Sequence, residues 1–470
     1  MSTLDYPQTL HYLAGLSPLG IQPGLTRIAE VLRRLGHPEQ RTAAIHIAGT
    51  NGKGSTSAYA ASIAQVAARR ASVEHARPFR VGLYTSPHLH RLTERVQYSQ
   101  HDTLTECPPQ RLADAVATVR SACAESPSVD LTFFEVLTAA AFWLFAQEQV
   151  DLAIIETGLG GRLDATRLCA AQASVVTSIA LDHMDWLGPT VTHIAAEKAG
   201  IFRAHVPALC VCQNEEARQV LVNVAKAQQA PLWLHPHQGQ PDVQPLPLLP
   251  ASLWPILPLP GEHQRHNAAL AVAALTHVQG PLQPFLSDPD VVQEGLRNTR
   301  WPGRIETICP TSALHRDFAD RQIVVDAAHN PEGVTSLTRW LLTQPERPLS
   351  ILCGVVIGKL TDGMEGPIQH AARVIACRPP TPRGLPATQL VSERGFERAV
   401  PIDDWQQALQ VALQQTPTGG RLLVYGSIFL VAAVRAALTG EPTDELLVQD
   451  PGKVTTQQAA PPHQAPVAPR

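Results

Sequence analysis

A glycine-rich stretch with a lysine and hydroxyl residues, Gly49-Thr50-Asn51-Gly52-Lys53-Gly54-Ser55, follows an apolar run and precedes a long helical pattern. Backbone N–H groups of such a loop, together with the N-terminus of the next helix, bind phosphate oxygens. Lys53 would add a positive charge and Ser55 an Mg²⁺ ligand. The spacing departs from the common GxxxxGK(S/T) pattern, because Ile47 replaces its first glycine and Gly54 separates the lysine from the serine. A glycine-rich loop without a phosphate is the alternative. The flanking strand and helix disfavour it, so the stretch predicts an enzyme that uses ATP.

Further residues of metal-binding or catalytic type lie downstream. Glu156 ends an apolar run, and a carboxylate at the carboxyl end of a central parallel strand is where a nucleotide-bound Mg²⁺ is usually held. Ser86 and His183 also follow predicted strands, and Lys198 lies in a helical pattern close to these candidates. Asn267, near the start of a later helix, is a candidate nucleotide contact. The alternatives are a solvated turn for the serine, a structural histidine, an exposed lysine and an ordinary first-turn polar residue.

Apolar runs of strand length alternate with helical patterns along most of the chain, which is typical of an α/β fold. We predict an N-terminal P-loop ATPase domain over 1–300 with a central mostly parallel sheet, and a smaller Rossmann-like α/β domain over 301–440. The proline-rich passage 241–260 predicts an irregular extended connection, because proline is excluded from helix interiors and from central strands. The Pro- and Gln-rich segment 441–470 predicts a disordered tail.

Two local predictions bear on the site. Apolar residues at helical spacing run through 9–35, and the apolar run 174–181 predicts a strand that ends next to His183.

Composition excludes several classes of partner. The chain has 470 residues and a net charge of −4 without a basic block, so we expect neither nucleic acid nor an anionic membrane surface as a partner. Its eight cysteines lack any CxxC pair, which favours reduced thiols over zinc or disulfides. The N-terminus lacks the pattern of a signal peptide, and no apolar segment is long enough to span a bilayer. We expect a cytoplasmic protein that acts on small molecules.

Eight short motifs occur in order between about residues 9 and 435. The motifs are the loop 49–55, Thr85-Ser86-Pro87-His88, Phe133-Phe134-Glu135, the segment 156–166, Leu181-Asp182-His183, the segment 197–201, His263-Gln264 with Asn267, and Asp326-Ala327-Ala328-His329-Asn330-Pro331. Together they resemble the motifs of the folylpolyglutamate and dihydrofolate synthases, members of the Mur-ligase superfamily of ATP-dependent amide-forming enzymes. The unusual spacing of the glycine-rich loop is itself the form found in this family.

The resemblance implies a reaction. The γ-phosphoryl group of ATP would pass to a carboxylate of a folate-type acceptor, the amine of L-glutamate would attack the acyl phosphate, and phosphate would leave. Such transfer depends mainly on positioning and charge neutralisation. The acceptor would be dihydropteroate, a reduced folate or both. The resemblance implies two Mg²⁺ ions and a monomer, and it leaves a requirement for K⁺ open.

The resemblance also assigns the site residues. Lys53, Lys198 and His329 would be catalytic, with Lys198 matching a lysine that is carbamylated by CO₂ in the family. The nucleotide would contact Gly49, Thr50, Asn51, Gly52, Lys53, Gly54, Ser55, Asn267, Arg304 and Asp326, and the metal ligands would be Ser55, Ser86, Glu156 and His183. The acceptor would contact Thr132, Phe133, Phe134, Glu135, Leu163, Asp164 and Ala165, while Ser427 and His329 would receive glutamate.

Two positions depart from the family pattern. Arg167 stands where the family usually has Asn, and Gly358-Lys359-Leu360 replaces the common Asp-Lys-Asp. Two other functions are consistent with parts of the pattern: another amino acid ligase of the superfamily, acting for example on a peptidoglycan precursor, and a nucleotide-binding regulator without catalysis. The joint presence of Ser86, Glu156, His183 and Lys198 disfavours the second.

Overall fold

The computed structural model describes residues 4–16, 19–239, 242–312 and 315–444. The strands are β1 Ala43–Ala48, β2 Val81–Tyr84, β3 Val96–Gln100, β4 Thr103–Glu106, β5 Leu152–Glu156, β6 Ala170–Val176, β7 Ala208–Val211, β8 Leu232–His235, β9 Val243–Pro245, β10 Glu306–Ile308, β11 Gln322–Asp326, β12 Leu349–Cys353, β13 Arg373–Ala376, β14 Val400–Pro401 and β15 Arg421–Tyr425. The α-helices are α1 Tyr6–Gly15, α2 Thr26–Arg34, α3 Lys53–His75, α4 Pro109–Ala124, α5 Phe133–Gln147, α6 Met184–Leu187, α7 Val191–Ala199, α8 Glu215–Ala227, α9 His263–Leu275, α10 Gln283–Leu286, α11 Pro289–Asn298, α12 Pro331–Leu342, α13 Ala387–Leu390, α14 Trp405–Gln415 and α15 Ile428–Thr439.

The first sheet has nine strands in the order β4-β3-β2-β5-β1-β6-β7-β8-β9. Its pairs are parallel except β2–β3 and β3–β4. β1 lies between β5 and β6, and its residue Ile47 is in register with Glu156 of β5. The carboxyl ends of β1, β2 and β5 therefore meet at one edge of the sheet, where α/β proteins bind ligands.

Helices cover both faces of this sheet. α3 packs against α9 and α11 on one face, and α5 packs against α2 and α4 on the other. The crossing of α3 and α11 is close, because a Cβ added to Gly295 would lie 2.4 Å from the Cα of Ile63. The alanine-rich α3 is buried along most of its length, which fixes the loop before it relative to the sheet.

The second sheet has six strands in the order β10-β11-β15-β12-β13-β14, parallel except for β10–β11. α14 and α15 pack on one face, while α12 and α13 contribute to the apolar core of the other. The α/β class, with a mostly parallel first sheet and a second α/β sheet, confirms the predicted fold. The predicted domain bounds stay a proposal, supported by the last strand of the first sheet ending at Pro245 and β10 starting at Glu306.

The structure contradicts one local prediction and adds detail to two others. The helical spacing over 9–35 belongs to two helices, because the chain leaves helical structure between Gly15 and Thr26. The predicted strand 174–181 ends at Val176, so His183 follows a loop rather than a strand end. The proline-rich passage contains the short edge strand β9 and a 3₁₀ turn, Ala251–Ile256.

The chain beyond α15 is placed as far as Asp444. Its carboxylate accepts hydrogen bonds from the hydroxyl of Tyr6, at 3.0 Å, and from the N–H of Leu92, at 2.7 Å. The predicted disorder is therefore wrong for residues 441–444, and 445–470 lie outside the described residues. No helix in the described ranges is long and apolar enough to cross a membrane.

Candidate active site

The glycine-rich loop joins β1 to the N-terminus of α3. No acidic residue lies in the first turn of α3, and no side chain caps it, so its first N–H groups and its dipole are available to an anion. The ammonium of Lys53 donates to the carbonyl oxygens of Gly49 and Thr50, at 3.1 and 3.2 Å, which holds it over the loop. The loop thus has the geometry of a phosphate site.

Glycine is required at two positions of this loop for different reasons. Gly52 has φ 89°, and a Cβ there would lie 2.4 Å from Oδ1 of Asn267. A Cβ on Gly49 would overlap the hydroxyl of Thr177. The Thr177 hydroxyl donates to the carbonyl of Asn51 at 2.7 Å, so the turn after β6 fixes the loop from below.

Glu156 is a carboxylate with few protein partners. It is 4% exposed, and it accepts a long hydrogen bond of 3.3 Å from the N–H of Ser86. Burial raises the pKa of Glu156 to about 7, against the opposing charge of Lys53. Ser55, also buried, accepts a hydrogen bond from Nε2 of Gln264 at 3.3 Å. A buried carboxylate that lacks strong donors is suited to bind a cation.

Lys198 lies on α7 and is 5% exposed. Its ammonium donates to the carbonyl of Gly49 at 2.7 Å, which brings α7 to the phosphate loop. Burial, assisted by the positive charge of Lys53, lowers the pKa of Lys198 to about 7. A large share of its amine is therefore neutral near neutral pH.

Asp182 lies at the centre of a cluster that joins both domains. Its carboxylate pairs with the ammonium of Lys359 and lies 3.5 Å from Nε2 of His329. Although burial opposes it, the neighbouring histidines and Lys359 hold the pKa of Asp182 well below its usual range. The imidazole of His183 is 45% exposed and lies 3.3 Å from the Lys359 ammonium. Lys359 therefore occupies the space beside His183.

A second interdomain contact touches the phosphate loop directly. The amides of Asn51 and Asn330 exchange two hydrogen bonds of 3.0 and 2.9 Å. Glu332 accepts from the amide of Asn51 at 2.6 Å and from the hydroxyl of Ser178 at 2.9 Å. Sequence reasoning missed Ser178 and Glu332, and the only signal was the position of Glu332 directly after the Asn330-Pro331 motif.

The residues predicted to contact the acceptor lie at the start of α5 and in the loop after β5. Thr132 and Glu135 form a capping box at the start of α5, and Glu135 also pairs with Arg27 at 3.1 Å. Phe134 faces the cavity, but Phe133 is fully buried in the core and does not line it, so the prediction for Phe133 lacks support in the geometry. Successive residues at a helix start point in different directions, which explains the difference.

Asp164 is surrounded by donors. Its Oδ2 accepts from the N–H groups of Gly158 and Leu159, both at 2.9 Å. Its Oδ1 accepts from the N–H of Thr166 at 3.0 Å and from the Thr166 hydroxyl. The carboxylate thus holds the ends of the loop that carries Leu163, a residue exposed to the cavity.

The predicted nucleotide residues outside the loop come from both domains. Asn267 on α9 lies against Gly52, and Arg304 follows the linker between the sheets. Asp326, at the end of β11, accepts from the N–H groups of Ile305 and Ala328, both at 2.8 Å, so it shapes the backbone of this wall.

All of these walls face one cavity of about 1520 Å³ between the two sheets' domains. Among the described residues, no group of three or more His, Cys, Asp or Glu side chains is arranged to hold a metal ion. A metal at Glu156 would therefore need hydroxyl and substrate oxygens as further ligands. The predicted site residues that line the cavity are Gly49, Thr50, Asn51, Gly52, Lys53, Gly54, Ser55, Ser86, Thr132, Phe134, Glu135, Glu156, Leu163, Asp164, Ala165, His183, Lys198, Asn267, Arg304, Asp326, His329 and Ser427.

Comparison with known proteins gives two domain matches. Residues 47–244 match the Mur ligase middle domain, and residues 303–428 match the Mur ligase glutamate ligase domain. The phosphate loop and the interdomain cavity thus belong to a ligase of the Mur type.

Individual relatives show which family of Mur-type ligases the chain resembles. The dihydrofolate synthase/folylpolyglutamate synthase of Escherichia coli K12 is 33% identical over 90% of this chain and 93% of its own. The structure of E. coli FolC in complex with DHPP and ADP is 30% identical, with a TM-score of 0.73 over 92% of this chain and 97% of that chain. A bifunctional folylpolyglutamate synthase/dihydrofolate synthase with Mn, AMPPNP and L-glutamate bound is 28% identical, with a TM-score of 0.72 over 93% and 98%. The chain belongs to the folylpolyglutamate synthase/dihydrofolate synthase family.

Proposed function

We propose that this protein is an ATP-dependent ligase that joins L-glutamate to a folate-type carboxylate through an acyl phosphate. The observation that carries the proposal is the convergence in one cavity of a phosphate loop, the buried residues Glu156 and Lys198, and His329 of the second domain. The relatives' bound ADP, AMPPNP, Mn and L-glutamate support the same reaction.

The phosphate loop would bind ATP and hold its γ-phosphoryl group. Lys53 and the first N–H groups of α3 supply positive charge where the transferred group carries negative charge. Asn267, Arg304 and Asp326 would bind the rest of the nucleotide. Closure of the two domains over the cavity would exclude water from an acyl phosphate that water can hydrolyse.

A divalent ion fits the first metal position, because Glu156 is a buried carboxylate with one weak donor and Ser55 offers a hydroxyl. When bound, Mg²⁺ neutralises phosphate oxygens. We propose a second ion held by Ser86, Glu156 and His183, for which Lys359 must move away from His183. Metal titration of ADP formation counts the ions. A K⁺ requirement is decided by repeating the assay with Na⁺ in place of K⁺.

The acceptor would lie along Thr132, Phe134, Glu135, Leu163 and Ala165, and L-glutamate would enter at His329 and Ser427. We further propose that Lys198 is carbamylated, because CO₂ reacts with a neutral amine and the pKa of Lys198 is lowered to about 7 by burial. The carbamate would replace a buried cation with an anion beside the phosphate loop.

The deciding experiment measures ADP release with L-glutamate and either dihydropteroate or tetrahydrofolate, followed by mass analysis of the product. Product with one acceptor or with both assigns one or two synthase activities. ADP release only with other amino acid acceptors would favour another Mur-type ligase. ATP binding without glutamate-dependent ADP release would favour a nucleotide-binding regulator.

We also propose that the protein acts as a cytoplasmic monomer with no nucleic-acid or membrane partner. The net charge of −4, without a basic block, supports the absence of a nucleic-acid or anionic-membrane partner. Light scattering at working concentration tests the oligomeric state.

A further inference from the structure

His46 is a buried titratable residue that the proposed reaction does not use. It lies on β1 with no exposed surface. Its Nε2 is 2.9 Å from Oγ1 of Thr166, and its Nδ1 is 3.5 Å from a guanidinium nitrogen of Arg203. Burial, with the nearby charge of Arg203, holds the pKa of His46 well below its usual range, so the ring is neutral and carries one hydrogen.

The hydrogen bonds around Thr166 have a defined direction. An ionised carboxylate only accepts, so the Thr166 hydroxyl donates its hydrogen to Oδ1 of Asp164. The same hydroxyl oxygen can then only accept from His46, which places the imidazole hydrogen on Nε2. Nδ1 of His46 is left as an acceptor that faces Arg203. A donor chain therefore runs from the centre of the sheet to Asp164.

The carboxylate of Asp164 has no free acceptor position with which to bind a ligand. A carboxylate offers about four acceptor directions, and four protein donors occupy them: the N–H groups of Gly158, Leu159 and Thr166 and the Thr166 hydroxyl. Asp164 therefore affects the cavity indirectly, by fixing the backbone of the residues that donate to it. That backbone begins the loop 158–163, and all residues of this loop except Gly161 line the cavity.

We propose that His46 and Thr166 are positioning residues for the acceptor: through Asp164 they fix the loop 158–163 against which the acceptor binds. The nature of the ligand rests on the proposed function, whereas the ordering of the loop rests on the contacts alone. In this assignment Asp164 acts as a loop organiser and not as a direct ligand.

The test compares Thr166→Val, which keeps the shape but removes the hydroxyl, with Thr166→Ser, which keeps the hydroxyl. For Thr166→Val we expect faster hydrogen exchange at the amides of Gly158 and Leu159 and a KM for the acceptor raised about tenfold or more, since a hydrogen bond to a charged group is lost. The affinity for ADP and the KM for glutamate should stay within about twofold of wild type. Thr166→Ser should restore both readouts.

His46→Leu and His46→Gln make the same comparison at the next residue in this series of hydrogen bonds. The amide of Gln offers a donor near the position of Nε2, so it should retain more acceptor affinity than Leu. Thr118→Val is the matched control, because within the described part of the chain its hydroxyl makes one hydrogen bond, inside α4, to the carbonyl of Asp114 at 2.8 Å.

Unchanged exchange at Gly158 and Leu159 in Thr166→Val would overturn the inference, as would an ADP affinity that falls as much as the acceptor affinity. If the wild-type protein makes no product with either folate-type acceptor, the proposed function fails. The exchange measurement then decides the positioning role by itself.

Discussion

Lys198 illustrates how burial changes the chemistry of a single residue. On an exposed helix face a lysine would stay protonated at neutral pH, but this one is 5% exposed and its pKa is lowered to about 7. Since the unprotonated amine is the form that reacts with CO₂, its reactive fraction increases as the pH rises through 7. From the sequence alone, an exposed lysine was the alternative interpretation. The observed burial of Lys198 excludes that alternative.

We predict that native mass spectrometry of the intact protein will find the added mass of one CO₂, and that this added mass will be absent from Lys198→Ala. At fixed dissolved CO₂ the modified fraction should be larger at pH 8 than at pH 6. Lys198→Ala should reduce kcat by about a hundredfold or more, since a preorganised charge in the site is lost. Lys226→Ala, at an exposed lysine of α8, is the control and should leave kcat unchanged. Full activity of Lys198→Ala would contradict the prediction.

The geometry of the phosphate loop results from three secondary-structure elements. β1 delivers the loop, α3 starts directly after it, and the turn after β6 supports it through Thr177. The sequence predicted the strand, the loop and the helix from composition and spacing. It gave no sign of Thr177, because this contact joins segments distant in the chain.

We predict that Gly52→Ala weakens ADP binding about tenfold or more. A residue with a Cβ at φ 89° costs about 1–2 kcal/mol, and the new methyl group would also meet Asn267 at 2.4 Å. Gly15→Ala is the matched control, because a Cβ there would have no atom of the described residues within 4 Å. Calorimetric titration with ADP compares the two. Equal affinities in both variants would show that the loop tolerates the change.

The limits of sequence reasoning also appear at this scale. The alternation of strands and helices that the sequence predicted agrees with the structure, because the periodicity of each element is a local property. The hairpin of β3 and β4 was missed, since strands of four or five residues carry little pattern. His183 reached the cavity, but from a loop, and Phe133 turned into the core.

The same holds for the site. Residue type and strand position were enough to pick out Glu156 and Lys53. The role of Glu332 required knowledge of which surfaces of the two domains meet. Such contacts between distant segments leave no periodic signal in a single sequence.

At the scale of the whole molecule, the second domain reaches the phosphate loop through Asn330. Its Oδ1 caps α12 by accepting from the N–H of Gly333 at 2.9 Å, while its amide donates to Asn51 and to Asp182. One side chain therefore serves both the local helix and the contact between domains.

We predict that Asn330→Asp keeps the cap but weakens the closed arrangement. The carboxylate can still accept from Gly333, yet it loses both donors and lies next to Asp182, 3.2 Å from the present amide. kcat should fall about tenfold or more, with little change in thermal stability. Asn214→Asp, at the exposed cap of α8, is the matched control. A wild-type kcat for Asn330→Asp would show that the contact does not matter for turnover.

The far side of the domain junction is held by Arg435 of α15, which is 8% exposed. Its guanidinium contacts Glu306 at 3.0 Å, His90 of the first domain at 3.0 Å, and Glu441. Glu306 in turn accepts from the N–H of Gly303, in the linker between the sheets, at 2.8 Å. The network therefore fixes the linker that leads to the nucleotide wall.

We predict that Arg435→Met lowers the free energy of unfolding by about 2 kcal/mol, because it removes charged hydrogen bonds and leaves carboxylates unpaired. The loss should be accompanied by a fall in kcat, since Arg304 lies in the segment that the network holds. Arg347→Met is the control, because Arg347 is exposed and, among the residues that the structure describes, donates to the carbonyl of Gly419 alone, at 3.2 Å. Urea unfolding gives the first quantity and steady-state ADP formation the second. If Arg435→Met loses stability but keeps its kcat, the network only holds the domains together. If both stability and kcat are unchanged, the network has neither role.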